Sequence, residues 1–292
     1  MLRWISLWMG CLSALCLAGH SMAAEQLVRY PAGALASDFR YAYPVRVLQL
    51  ALDKTRKEYG PARAVQGVQT MNTARAIAEL EQGAQLDIAT FPAQRELESR
   101  LEPIPICIRK GILGIRLFLI DRRRQAEFSA TKDLAGLKKM HPGQGQDWLD
   151  TQVLSENGFT VVTGASYEGL FGMLLAGRFD FFPRGLHEPF VELNQRQKQM
   201  PDLAIEETLA LHYPYPDYFW VRKDNKRLAE RVRKGLEAAI ADGSFEKLFQ
   251  SEYAEVIRLA HLDKRRIFAI PNPAYGDIPH PGDQRYWLMG WK

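Results

Sequence analysis

Two arginines occupy matching places in this chain. A guanidinium is well shaped to grip an acid, because its planar fork donates parallel hydrogen bonds to both carboxylate oxygens. Residues 73–95 read TARAIAELEQGAQLDIATFPAQR and residues 166–184 read SYEGLFGMLLAGRFDFFPR. Each runs from an apolar-periodic helix to a glycine (Gly83, Gly177), then to an aspartate opening a short apolar strand (Asp87, Asp180). A Phe-Pro stop follows (Phe91-Pro92, Phe182-Pro183), and then Arg95 or Arg184. In open α/β sheets ligands sit beyond the carboxyl ends of the strands. The duplication therefore predicts two arginines on the rim of one cleft, one from each wall, clamping an anionic ligand.

Other side chains can join them. Gly143-Gln144-Gly145-Gln146 precedes an expected helix, whose first N–H groups can receive an anion; a plain turn capped by Asp147 is the alternative. Arg40, with Asp38 and Tyr41, follows the first strand, and Tyr43 can cover a ligand's apolar body. Arg116 interrupts an apolar strand, so it requires an acid partner or the ligand. Glu188 either meets the ligand or pairs with Arg184.

Covalent chemistry has little to stand on. Residues 164–169, GASYEG, have the wrong spacing for a nucleophile elbow, and Ser166 serves as a helix cap. Once the leader is removed the histidines are His141, His187, His212, His261 and His280, with no HExxH or comparable ligand spacing. No GxxxxGK loop is present. Neither a metal nor a cofactor is expected.

The elements that must position these groups alternate. A strand at residues 26–30 leads to a helix over 44–59, a strand over 62–70, a helix from Asn72 or Thr73 to Gly83, and a strand over 86–90. A β-rich stretch, 103–120, carries the chain into a second αβ series: a helical turn at 131–136, a strand at 137–141, a helix ending at Asn157-Gly158, and strands at 159–163 and 179–182. Residues 210–221, ALHYPYPDYFWV, form a return crossing. Helices follow at 225–241 and from Ser244, and the proline-bearing tail after Ile270 is expected to be irregular.

The 292 residues, 47% hydrophobic, suffice for two lobes. Residues 1–24 read as a cleaved secretory leader: Arg3 precedes an apolar run too short to span a bilayer comfortably, and Ser21-Met22-Ala23-Ala24 allows cleavage after Ala23 or Ala24. Cys11 and Cys16 leave with it and Cys107 remains alone, so no internal disulfide forms. Without Arg3 the balance is 37 basic to 34 acidic residues. The dense run Arg122-Arg123-Arg124 lacks the aromatic or glycine pattern of a nucleic-acid contact and reads as a solvated turn. The expected destination is a bacterial periplasm, as a monomer that binds no nucleic acid.

Taken in order, the leader, the repeated helix-Gly-Asp-strand unit, DLAGL at 133–137, PGQGQDW at 142–148, GRFDFF at 177–182 and DGSFEKLFQSEY at 242–253 resemble the extracellular solute-binding proteins of ABC transporters, in particular the amino-acid-binding family. The likeness covers residues 25–255. It implies the type II periplasmic-binding fold: two α/β lobes, each a mostly parallel sheet flanked by helices, joined by two hinge crossings. The first lobe would take residues 25–117, the second 118–216, and the return and tail 217–292. It also implies reversible capture of a small solute for an inner-membrane permease. The family's Thr-x-x-Arg after the third strand maps onto Arg95, with Pro92 replacing the threonine. Its ammonium-binding aspartate is missing beside Pro183-Arg184-Gly185. The same fold serves exported dehydratases resembling cyclohexadienyl dehydratase, for which Glu188 or His187 is the candidate. A sensory or interaction protein without a transport role is the third alternative.

Overall fold

The computed structural model describes residues 24–32, 42–71, 73–275, 280 and 282–289. Residues 1–23 of the expected leader, with Asp38, Arg40 and Tyr41, lie outside the described residues. In chain order the strands are β1 (Gln26–Ala32), β2 (Ala62–Thr70), β3 (Ile88–Pro92), β4 (Leu101–Ile104), β5 (Ile115–Asp121), β6 (Gly143–Gly145), β7 (Val162–Gly164), β8 (Phe182–Gly185), β9 (Leu203–Ile205), β10 (Leu209–His212), β11 (Asp217–Arg222) and β12 (Arg266–Ala269).

Two α/β lobes result. In the first, β1 and β2 pair in parallel and β3 lies beside β1, while β11 runs antiparallel between β3 and β4. In the second, β6 and β7 pair in parallel and Pro142 bridges to Phe181, while β5 runs antiparallel to β8, β9 and β10. The antiparallel members β5 and β11 are the strands that enter each lobe from a crossing. All seven residues of β5 are buried because the strand has a cluster on each face. Phe118 and Ile120 pack with Phe128 and Phe181, whereas Leu119 packs with Leu170 and Phe171.

The duplicated unit has a structural meaning. Asp87 N–H donates to the Arg29 carbonyl at 2.9 Å, and the Asp87 carboxylate accepts from Arg29 N–H at 2.7 Å. Asp180 repeats this with His141: its N–H donates at 2.7 Å and its Oδ2 accepts from His141 N–H at 2.5 Å. Each carboxylate also holds a guanidinium, that of Arg29 or Arg124. In both lobes the aspartate locks the start of one strand to its neighbour, which fixes the register on which the cleft walls depend. Gly83 and Gly177 both take φ of +66°, the left-handed conformation that closes a helix cheaply only for glycine.

Local readings hold with shifts. Helices cover Thr73–Gln82, Leu149–Glu156, Lys226–Ala241 and Ser244–Leu259. Ser166 caps Tyr167–Leu175 by accepting from Gly169 N–H. The expected 44–59 helix divides into Ala42–Lys54 and Arg56–Tyr59. The β-rich stretch over 103–120 breaks where Lys110 and Gly111 take positive φ and Ile112–Gly114 forms a 3-10 turn. The strand expected at 137–141 forms instead at 143–145, as β6, because Leu134–Leu137 continues the helical turn capped by Asp133. Pro183 lies inside β8 rather than ending it. Among the described residues no helix is long and apolar enough to cross a membrane.

Candidate functional site

A cavity of about 220 Å³ opens between the lobes. It falls just below the ~300–1,000 Å³ that houses drug-sized ligands, a size suited to a small solute. Thr90, Phe91 and Pro92 at the end of β3, with Gln94, supply the first-lobe wall. Asp147 to Asp150 and Arg184, His187 and Glu188 supply the second. The floor belongs to the crossings: Arg109, Leu113 and Arg116 from one, Tyr215 and Asp217 from the other.

Arg116 sits on β5, opposite Gly185 on β8 and Leu211 on β10, and is 2% exposed. Its guanidinium lies over the rings of Tyr213 and Tyr215, at 5.0 and 4.4 Å from their centroids. Asp150 Oδ1 is 2.7 Å from Nη2, and both tyrosine hydroxyls donate to that carboxylate. Burial alone would lower the arginine's pKa, but Asp150 and then the tyrosines overcome it and keep the cation. Beyond this ion pair at Nη2, neither Nε nor Nη2 makes a hydrogen bond. These two atoms form one edge of the guanidinium fork. A buried donor without a hydrogen bond costs ~1–3 kcal/mol, a penalty that the Asp150 carboxylate offsets in part at Nη2.

Arg184 is held differently. Nε and Nη2 donate to Glu192, itself fully buried, at 2.9 and 2.7 Å, and Glu188 lies 3.2 Å from Nη2. Trp148 and Phe182 flank the guanidinium at 5.0 and 4.8 Å. Burial would push the Glu188 carboxyl up, but Arg184 and Arg116, with the Gly185 N–H at 2.7 Å, hold it well below its ordinary range. His187 lies between these charges. Its burial, reinforced by Arg109, Arg184 and Arg116 against Glu188, lowers it to about 3, so the imidazole is neutral and its Nδ1 has no partner. Arg109 pairs with Asp217 and donates from Nε to the Tyr253 hydroxyl at 3.2 Å. The lining thus carries three arginines and four carboxylates. Among the described residues Asp147 is the one carboxylate of the four without an ion-pair partner.

Of the residues singled out in the sequence, Arg116, Arg184 and Glu188 come together in this cavity. Arg95 does not. It opens the helix Arg95–Arg100 with an exposed side chain, because Ala93 N–H is drawn to the Pro216 carbonyl and Arg95 N–H to that of Ala274. The arginines that line the cavity are Arg109, Arg116 and Arg184, with no Arg95 facing Arg184 across it. Gly143, Gln144 and Gly145 form β6 rather than a helix entry, and Gln146 is exposed. Their N–H groups are spent within the fold: Gly143 bonds Phe181, and Gln146 bonds Gly164. The two glycines are there for packing, since a Cβ would lie 2.2 Å from the Phe179 ring at Gly143 and 2.5 Å from the Trp148 ring at Gly145. Tyr43 is buried in the first-lobe core against the edge of Tyr253. Among the described residues no His/Cys/Asp/Glu group could hold a metal ion.

Sequence reasoning passed over Arg109, Asp150, Tyr215 and Asp217 as site residues. Asp150 had a readable signal: it falls on the buried face of its helix with Leu149, Val153 and Leu154, where a charge requires a partner. Tyr215 and Asp217 lie in the segment identified as a crossing, and crossings form the floor of an interlobe cleft.

No protein-family model matches the sequence, and no curated protein matches it. Solved structures do match. An ancestral arginine-binding protein bound to arginine superposes with a TM-score of 0.56 at 16% identity, over 78% of this chain and 98% of that one. A Salmonella typhimurium periplasmic binding protein with high arginine specificity gives 0.53 at 15%, over 78% and 98%. The sensor domain of a histidine kinase gives 0.55 at 13%, over 78% and 96%. The chain has the two-lobed type II periplasmic-binding fold.

Proposed function

We propose that this protein is an exported solute receptor that captures a small carboxylate-bearing, amino-acid-like solute between its lobes by reversible binding with hinge closure. The observation that carries the reading is the Nε/Nη2 edge of Arg116, buried at the cavity floor with no hydrogen bond of its own, Asp150 meeting Nη2 only as an ion pair. A carboxylate supplies two oxygens at the spacing of that edge. The remaining charge argues for a second, cationic or donor group on the solute. Three lining arginines face four carboxylates, so a bare acid meets a net negative wall, whereas an ammonium directed at Asp147 offsets the solute's own carboxylate. The arginine-binding proteins that share the fold are consistent with this chemistry.

The dehydratase alternative finds weaker support. Glu188 is held ionised by Arg184 and Arg116, and His187 is neutral with its pKa near 3, so neither is poised to exchange a proton near neutral pH. Capture would serve uptake through an ABC-type permease, in keeping with the substrate-binding protein of an amino acid ABC transporter that shares the fold, or sensing, in keeping with the histidine kinase sensor domain. The capture step is common to both.

A thermal-shift panel of amino acids, dicarboxylates, amines and short peptides tests the reading. A solute at a hundred times its Kd adds ~2.7 kcal/mol of stability. Compounds carrying both a carboxylate and an amine are expected to raise the melting temperature, and their amide or decarboxylated counterparts are not. Stabilisation by amines alone, with none by any acid, would remove the Arg116 assignment.

A further inference from the structure

Beyond its helices the chain crosses between the lobes again, away from the solute-facing side chains. β12 lies parallel to β10, and Ile270 and Phe268 pack into the second-lobe cluster with Phe118 and Phe159. By Tyr275 the chain has entered the first lobe: the Tyr275 and Tyr218 hydroxyls are 2.6 Å apart, and Tyr275 packs in the cluster of Phe91 and Trp220. The residues between are bonded on both sides of the cleft. Asn157 Nδ2, in the second lobe, donates to the Pro271 carbonyl at 2.8 Å. Asn272, 4% exposed, donates from Nδ2 to the carbonyl of Pro214 at 2.7 Å, and its Oδ1 accepts from Ala274 N–H. The Ala274 carbonyl then accepts from Arg95 N–H on the first lobe.

Hinge motion is absorbed by a few residues at element ends, here the crossings. Pro214 belongs to the crossing that also bears Tyr213 and Tyr215, the rings beneath Arg116. A segment fixed in turn to the second lobe, the crossing and the first lobe must give up some of these bonds when the lobes rotate apart. We propose that residues 266–275 form a strap that restrains lobe opening and holds the cleft at a narrow aperture before any solute arrives. An apparent dissociation constant rises as the competent fraction falls, so such a restraint also tightens capture.

Pulsed electron spin resonance between labels on Lys57→Cys and Lys198→Cys, exposed positions in the first and second lobes, measures the aperture without a ligand. Cys107, 2% exposed, stays unlabelled. The parent should give one narrow distance distribution. Asn272→Ala with Tyr275→Phe removes the side-chain bonds to the crossing and to Tyr218 and keeps the ring packing, and should shift the distribution to longer, broader distances. Truncation after Ala260 should go further in the same direction; if that variant does not fold, the double substitution still decides. A distribution in the folded double variant identical to the parent's would overturn the strap, whether or not any solute binds.

Discussion

Replacing Arg184 with methionine separates a structural post from a solute clamp. The guanidinium is 3% exposed and supplies the ionic partner of Glu192, which is 0% exposed. Arg184→Met leaves that carboxylate with the Tyr167 hydroxyl at 2.8 Å as its side-chain donor, and Glu188 loses its nearest cation. Removing one member of a buried pair costs ~3–5 kcal/mol, because an uncompensated charge stays behind. At ~2–4 °C per kcal/mol for a protein of this size, the melting temperature should fall by roughly 6–20 °C. Adding Glu192→Leu removes the stranded charge, so most of the loss should return, since apolar replacements of whole buried pairs are often close to neutral. Calorimetry of the single and double variants without solute provides the data. A loss below ~1 kcal/mol in the single variant, or no recovery in the double, would refute the assignment of Arg184 as a post.

Two further perturbations address packing and titration. Gly235 lies where the helices Ala42–Lys54 and Lys226–Ala241 touch, and a Cβ there would sit 2.1 Å from the Ala51 carbonyl oxygen; Gly235→Ala should cost about 3 kcal/mol, read as a lower urea midpoint at unchanged slope. His187 has a folded pKa of about 3 against an ordinary 6.5, so the unfolded chain takes up its proton first as pH falls, and the stability present above 6.5 declines toward 3. Between pH 6.5 and 4.5 this amounts to about 2–3 kcal/mol, which urea titrations of His187→Gln should show reduced; an unchanged pH slope would contradict the buried neutral imidazole.

Much of the fold was legible because it is written in local rules. The glycine stops at Gly83 and Gly177, the Ser166 cap and the alternation of helix and strand need only neighbouring residues. The duplicated unit was real, but its chemistry resides in Asp87 and Asp180, which lock strands, more than in the arginines that follow. Arg95 was misplaced because the bonds that turn it outward come from Pro216 and Ala274, far along the chain. The floor of the site escaped for the same reason: Arg109 meets Asp217, and Arg116 meets Asp150 and Tyr215, only after the crossings pass side by side. Arg116 itself was readable, since a cation in an apolar strand requires a partner. That its Nε/Nη2 edge makes no hydrogen bond becomes visible only in three dimensions.

The proposed anchor of the solute's carboxylate is Arg116, not Arg95. Calorimetric titration of the best solute from the thermal-shift panel into the parent, Arg116→Lys and Arg95→Ala tests it directly. Lysine keeps the charge beside Asp150 but loses the fork, and with charged hydrogen bonds worth ~1.5–3 kcal/mol each the affinity should drop on the order of 100-fold. Arg95→Ala should bind as the parent does. Parent-like affinity in Arg116→Lys, with binding lost in Arg95→Ala, would contradict the account.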